Sequence, residues 1–412
     1  MQVFGGTALT SVAQGLQFLL LARALGPLEF GRVAAAAGIT QVLFPFSALG
    51  APNVMVMRAS RDPKLMPLYL GNTLATMVVT GGLLVALATF AVGPLLHGQL
   101  STSMMAVFAV SELLASRIVD ICWQVFLARD QLRYTSSFLA VQSVTRLCAA
   151  ALFVWWVDAP SAQHWVMWAL VSNTLVAAWV LHITLQHVGR LEFDAGVARR
   201  EFSLGASFAV GQSARSFYTD ADKVFLTRYA GAEAVGQYTM AFRIVQIALT
   251  AIRALSLTLQ TRLYRAGASG IGQTLQLTVR VLRPTALGAL LLAAAFYVAA
   301  PLLTWFAGEQ YHAAVDALRV LSLMPLVLAV QVLLYDTLSS SGHQRIAAVI
   351  QIISAGVIFG LSVTLIPKAG WVGAAAASYG AQVALCGLLM LAIRQEHARA
   401  PAAGSAREPD AA

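Results

Sequence analysis

Arg146, Arg215, Arg243 and Arg253 interrupt runs that are otherwise apolar enough to cross a bilayer. A guanidinium keeps its charge at any depth and offers a fork of donors, which is the chemistry of gripping a phosphate or diphosphate. Near the centre of a membrane helix such a charge costs ~2.5–3.5 kcal/mol on insertion scales, so a lipid-facing placement is excluded. Arg243, Gln246, Thr250, Arg253 and Gln260 recur close to one helical face, with Ile, Val, Ala and Leu opposite. That spacing fits a helix lining a cationic aqueous cavity. Each arginine also has a plainer account, an ion pair that holds helices together. Arg215 has Asp220 and Asp222 within reach on its own helix, whereas Arg243 and Arg253 have no acid in their own span, and Arg146 follows Gln142 at i+4.

Glu112, Ser116 and Asp120 fall at i, i+4 and i+8, with Arg117 three residues before Asp120. Two readings stand: an internally neutralised packing network, or a coupling site whose acid takes up H⁺ or Na⁺. Asp222 and Lys223 form an adjacent acid–base pair in another apolar run. Thr7, Ser11, Gln14 and Gln17 give one helix a polar face, suited to sugar hydroxyls or to ordinary helix–helix contact. Trp155, Trp156, Trp165 and Trp168 fit an interfacial aromatic belt. Cys122, Cys148 and Cys386 sit inside apolar runs, and His97, His164 and His312 share no ligand spacing. Neither a metal nor an organic cofactor is expected.

The elements that must position these groups follow from composition. Of the 412 residues 58% are hydrophobic and 11% charged, with a mean hydropathy of +0.73. Soluble domains carry about 25% charged residues, so the chain reads as an all-α polytopic membrane protein. Its +9 charge is scattered over short connections, which argues against nucleic acid as a partner. With about 20 apolar residues per crossing, twelve spans are predicted: 3–22, 33–56, 68–92, 104–127, 134–157, 163–187, 203–227, 234–257, 281–304, 315–338, 346–366 and 371–393. The polar connection 188–202 separates a six-helix lobe, 1–187, from a second, 203–393, and 394–412 reads as a disordered tail. The connection 258–280 has room for an interfacial helix, and Pro45 and Pro325 are expected to bend their spans.

Connections after even-numbered spans carry most of the Lys and Arg, among them Arg58, Arg61 and Lys64, and Arg190, Arg199 and Arg200. This bias places both termini in the cytoplasm. RALGPLEFGRVAAA at 23–36 aligns with RYAGAEAVGQYTMA at 228–241, keeping Arg23/Arg228, Gly26/Gly231, Gly31/Gly236 and Ala36/Ala241 in register. Six spans per half make this repeat parallel, about an axis along the membrane normal.

RALGPLEFG at 23–31, SALGAPNVMVMR at 47–58, TDADKVFLTRYAGAEAVGQYTMAFRI at 219–244, GEQYHAAVDALRVLSLMPLV at 308–327 and LIPKAGWVGAAAAS at 365–378 occur in that order. Together they resemble the polysaccharide-biosynthesis membrane proteins, the oligosaccharide flippases of the multidrug/oligosaccharidyl-lipid/polysaccharide exporter superfamily. The resemblance implies two six-helix lobes forming a V around a central cavity. It also implies alternating access that carries an undecaprenyl-diphosphate-linked glycan across the bacterial inner membrane, for O-antigen, capsule or exopolysaccharide synthesis. Asp222-Lys223 matches the acid–base pair of the family's seventh span. Partners implied are the polyprenyl-diphosphate glycan, membrane lipid, H⁺ or Na⁺ as coupling ion, and a polysaccharide polymerase with its chain-length protein. The alternatives are a cation-coupled multidrug antiporter, which needs an acidic cavity, and a membrane-embedded polymerase or glycosyltransferase, which needs a larger outer loop than is present. A transporter without covalent chemistry is expected.

Overall fold

A computed structural model describes the backbone of residues 2–95, 99–268 and 270–399. The side chains of 2–8, 91–95, 218, 219, 221, 247–262 and 264–268 lie outside the description. Among the described residues the chain is helical, with no strand. The helices are α1 (Gln2–Leu43), α2 (Ala51–Ala59), α3 (Met66–Leu95), α4 (Thr102–Val110), α5 (Arg117–Ala128), α6 (Leu132–Trp156), α7 (Ala162–Val188), α8 (Ala195–Ala268), α9 (Ile271–Ala299), α10 (Leu302–Ala307), α11 (His312–Leu321), α12 (Met324–Ser340) and α13 (Gln344–Arg399).

Three of these are too long to be one crossing, and each is broken at a glycine. α1 breaks at Gly26 (φ 69°, ψ 170°), α8 at Gly231 (φ 85°, ψ 167°) and α13 at Gly370 (φ 55°, ψ −130°). Only glycine enters such backbone readily. Phe18 and Phe30 lie on either side of Gly26 and stack edge to face at 5.0 Å, whereas twelve residues of straight helix would hold them about 18 Å apart. The chain therefore reverses there. With each broken helix counted as two limbs, with α4 and α5 joined by the π-helical turn Ser111–Ser116, and with α11 and α12 bent by 43° as one unit, the twelve expected segments are accounted for. By length and apolarity alone five helices pass as single crossings, or seven with the bent pairs included. That smaller number arises because α13 is one helix with two limbs, α1 with α2 counts once, α4 and α5 are each shorter than a crossing, and neither limb of α8 is counted.

Some boundaries differ from expectation. At Pro45 the span bends by 47° between α1 and α2, and the helix is also interrupted there: a 3₁₀ turn, Phe44–Ala48, leads to Leu49 (φ 47°) and Gly50 (φ 67°) before α2. Pro325 starts α12 at the bend after α11. The connection 258–280 holds no separate helix, since α8 runs to Ala268 and α9 begins at Ile271. α13 continues to Arg399, so 394–399 of the expected tail is helical; Glu396 pairs with Arg399 (2.8 Å) and with His343 (3.2 Å) there. Residues 400–412 lie outside the described residues.

Close contacts divide the chain into two compact units, Met1–Thr239 with Thr304–Tyr311, and Met240–Leu303 with His312–Ala412. In the first unit, rising residue numbers along α1 and α2 meet falling numbers along α8, an antiparallel seam. Gly31 lies on Ala232, Gly38 on Asp220 and Lys223, Gly50 on Gly205; Ser213 donates to the Val42 carbonyl at 2.8 Å, and Arg58 pairs with Glu201 at 2.9 Å. A methyl group on Gly31 would sit 1.7 Å from the Ala232 carbonyl oxygen, and one on Gly236 2.0 Å from that of Pro27. Gly31 and Gly236 are equivalent in the repeat, and so are Pro27 and Ala232. The two repeat turns thus grip each other reciprocally, as two-fold related surfaces do. Gln310 ties in the same place, donating to the Arg23 carbonyl (3.2 Å) and accepting on its own carbonyl from Gln237 (2.8 Å), while Tyr311 donates to the Ala22 carbonyl (2.9 Å).

Candidate functional site: a charged cluster around a π-helical turn

Within the first unit, α4, the π-helical turn and α5 run on as one segment against α6 and α7. A π turn inserts a residue into the helical ladder and rotates every later residue about the axis. The expected common face of Glu112, Ser116 and Asp120 is therefore split into two clusters.

The first cluster is built on Glu112. Its carboxylate pairs with Arg146 of α6 and receives a longer bond from Asn173 Nδ2 of α7 at 3.4 Å. Asn173 is fully buried, and its Nδ2 also donates to Ser111 Oγ at 2.8 Å. Arg146 engages the carboxylate through Nη2 and one oxygen, and its Nε is buried without a partner. The Arg146 side chain is 26% exposed against 10% for Glu112. One turn earlier on α6, Ser143 accepts from Gln14 of α1 at 3.4 Å, which extends the polar strip onto a third helix.

The second cluster is closed. Arg117 is 2% exposed, pairs with Asp120 at 2.6 Å and lies over the Phe44 ring at 4.7 Å. Asp120 also accepts from Trp123 Nε1 (3.1 Å) and Gln124 Nε2 (2.9 Å). The phenyl face attracts the guanidinium, so this cluster links α5 to the 3₁₀ turn, while Arg117 Nε and Nη2 are buried without a partner.

The remaining candidates lie elsewhere. Lys223 pairs with Asp220, and buried Asp222 accepts from the Lys223 backbone N–H at 2.8 Å. Asp220 thus has Lys223, three residues on, as an ion-pair partner. Arg215 is exposed on the first limb of α8. Arg243 is exposed in the second unit and donates to Gln246 at 2.9 Å. The side chains of Arg253 and Thr7 lie outside the described residues. Among the described residues no group of His, Cys, Asp and Glu has the arrangement of a metal site. Asn173, Ser111 and Phe44 were missed by sequence reasoning; an amide alone in an apolar span was the available signal for Asn173.

The fold is that of known transporters. An inward-facing multidrug resistance MATE family transporter of the MOP superfamily superposes with a TM-score of 0.67 at 14% identity, over 95% of this chain and 96% of that one. The MATE multidrug transporter DinF-BH in complex with R6G gives 0.66 at 16% identity, over 96% and 94%. The lipid II flippase MurJ, in an inward closed conformation, gives 0.65 at 12% identity, over 95% and 87%. At such identities the likeness is one of fold, an all-helical one whose apolar helices are long enough to cross a membrane. No curated protein matches the sequence. The family of polysaccharide biosynthesis proteins matches residues 3–258, a stretch that holds the repeat turns, the π-helical turn and every polar group described above up to Arg243 and Gln246, and the chain belongs to that family.

Proposed function

We propose that the protein flips a polyprenyl-diphosphate-linked oligosaccharide from the inner to the outer leaflet of the bacterial inner membrane, with both termini cytoplasmic. The observation that carries this reading is Arg146, a guanidinium 26% exposed within a membrane span of a polysaccharide biosynthesis family protein. Such a charge faces water or a polar ligand, since hydrocarbon would expel it. An anionic headgroup satisfies it, and the lipid tail stays in the bilayer. Arg146, Arg215, Arg243 and Arg253 are the proposed diphosphate contacts, with Gln14 and Gln246 beside them facing the glycan. The rocking bodies are the lobes 1–187 and 203–393, joined by 188–202, and alternating access delivers the glycan to surface polysaccharide synthesis. Glu112, Arg117, Asp120, Asp222 and Lys223 then hold the helices in place or carry a coupling ion.

A cation-coupled drug antiporter is the second reading, because two of the superposed structures are multidrug transporters. The deciding experiment tracks a labelled undecaprenyl-diphosphate glycan across proteoliposomes containing the intact protein or a folded Arg243→Ala, Arg253→Ala variant. Transfer by the intact protein and its loss in the variant is the expected result. Unchanged transfer in the variant removes those two arginines from the path. Export of a small cation, with no transfer of any lipid-linked glycan, replaces the flippase by the antiporter.

A further inference from the structure

The two arginines beside the π-helical turn differ in how far they are open to a ligand. Arg117 is sealed at 2% exposure, with Asp120 at one end and Phe44 against its face. Arg146 keeps 26% of its side chain open, touches Glu112 through one nitrogen and one oxygen, and leaves Nε unmatched. Each pair makes one bond and leaves buried nitrogens unmatched, Nε of Arg146 and Nε and Nη2 of Arg117, so it is exposure that separates them: only Arg146 can be reached by a ligand.

Glu112, by contrast, is well anchored. It sits inside the π-helical turn Ser111–Ser116, is 10% exposed, and is approached from α7 by Asn173, whose amide is fixed by Ser111. The carboxylate is thus held in place while the guanidinium retains spare donors.

We propose that Glu112 stands in for a cargo phosphate: in the empty protein it occupies Arg146, the diphosphate displaces it, and its return to Arg146 expels the diphosphate on the far side. This assignment rests on the flippase reading and gives Glu112 a positioning role within it. A stand-in of this kind lowers apparent affinity by the fraction of time that it leaves the arginine free, and it prevents the cargo from being bound too tightly to release. It gives the chain a preference for headgroups whose charge exceeds that of one carboxylate.

The test uses the full-length protein in proteoliposomes, with labelled undecaprenyl-diphosphate glycan as probe, reading half-saturation and maximal flipping rate separately. Glu112→Gln keeps the shape and the Asn173 contact but not the charge. It is expected to lower half-saturation by about tenfold if Arg146 is free a tenth of the time, and to lower the maximal rate with it. Arg146→Gln raises half-saturation, and the double variant behaves as Arg146→Gln does, since the stand-in acts only through that arginine. Asn173→Ala, which frees Glu112 to wander, moves half-saturation in the direction of Glu112→Gln by a smaller factor and serves where Glu112→Gln does not fold. Weakened binding in both single variants, or in Asn173→Ala, makes the pair a structural brace and overturns the assignment while the flippase stands. Failure of the intact protein to flip any diphosphate lipid removes the flippase reading first, and the stand-in with it.

Discussion

The repeat-turn contact and the cluster at the π-helical turn are both interhelical joints of the first unit, built in opposite materials. At the turns, backbone meets backbone through Gly31 and Gly236, with no space for a methyl group. At the π-helical turn, long charged side chains span the gap between helices, and some of their donors are unspent. A joint of bare backbone has essentially one geometry, because carbonyls in packed helices cannot rotate away. A joint of arginine and carboxylate has several, because rotamers and partners can change. The first kind fixes where helices cross; the second is where a ligand can intervene.

That contrast can be broken most sharply at Gly31. Gly31→Val is expected to exceed the ~1–3 kcal/mol usual for overpacking, because the obstructing atom is the Ala232 carbonyl oxygen 1.7 Å from the new carbon. Loss of folded protein on detergent extraction, seen by size-exclusion chromatography, is the expected outcome. Gly15→Ala, with nothing within 4 Å of the added methyl, stays within about 0.5 kcal/mol of the parent. Equal behaviour of the two variants would dissolve the distinction.

A comparison of the two charged clusters comes next in size. Arg117→Met takes the cation from Asp120, which is 20% exposed and keeps its bonds from Trp123 and Gln124. The cost in thermal or denaturant unfolding is therefore expected at or below the low end of the about 3–5 kcal/mol of a fully buried pair. Adding Asp120→Asn recovers part of that loss. Flipping per folded molecule is unchanged in the double variant if the cluster is only a brace; a fall in that rate would place Arg117 with Arg146.

The smallest effects belong to the reversals themselves. Gly231→Ala costs about 1–3 kcal/mol for its backbone conformation alone, since no atom lies within 4 Å of the added methyl. Gly26→Ala costs more, because the methyl would also lie 2.9 Å from Gln310 Oε1. Matching melting curves for the two variants would mean that Gln310 swings aside freely and is no clasp.

Much of this architecture was legible from apolar runs and their punctuation. Twelve segments, the bends at Pro45 and Pro325, and the equivalence of Gly26 with Gly231 all come from where glycine, proline and charge interrupt hydrophobicity. The polar site was legible residue by residue but not as an arrangement. Glu112, Ser116 and Asp120 carry ideal α-helical spacing, and a single inserted residue in the ladder leaves no mark on composition. Arg146 and Glu112 lie 34 residues apart on different helices, so helical periodicity had no means of pairing them. The reach of 304–311 into the first unit was illegible because Gln310 and Tyr311 look like ordinary connection residues until their bonds to Arg23 and Ala22 are seen.

The reciprocal grip of the repeat turns also bears on descent. Two identical half-length chains meeting through such a surface would form a closed pair, and any change at the glycine would strike the interface twice. Once both copies lie on one chain that double jeopardy ends, because each side can vary while the other holds still. Pro27 facing Gly236 while its counterpart Ala232 faces Gly31 is what that freedom looks like: the glycines remain twins, and the residues they receive have already parted.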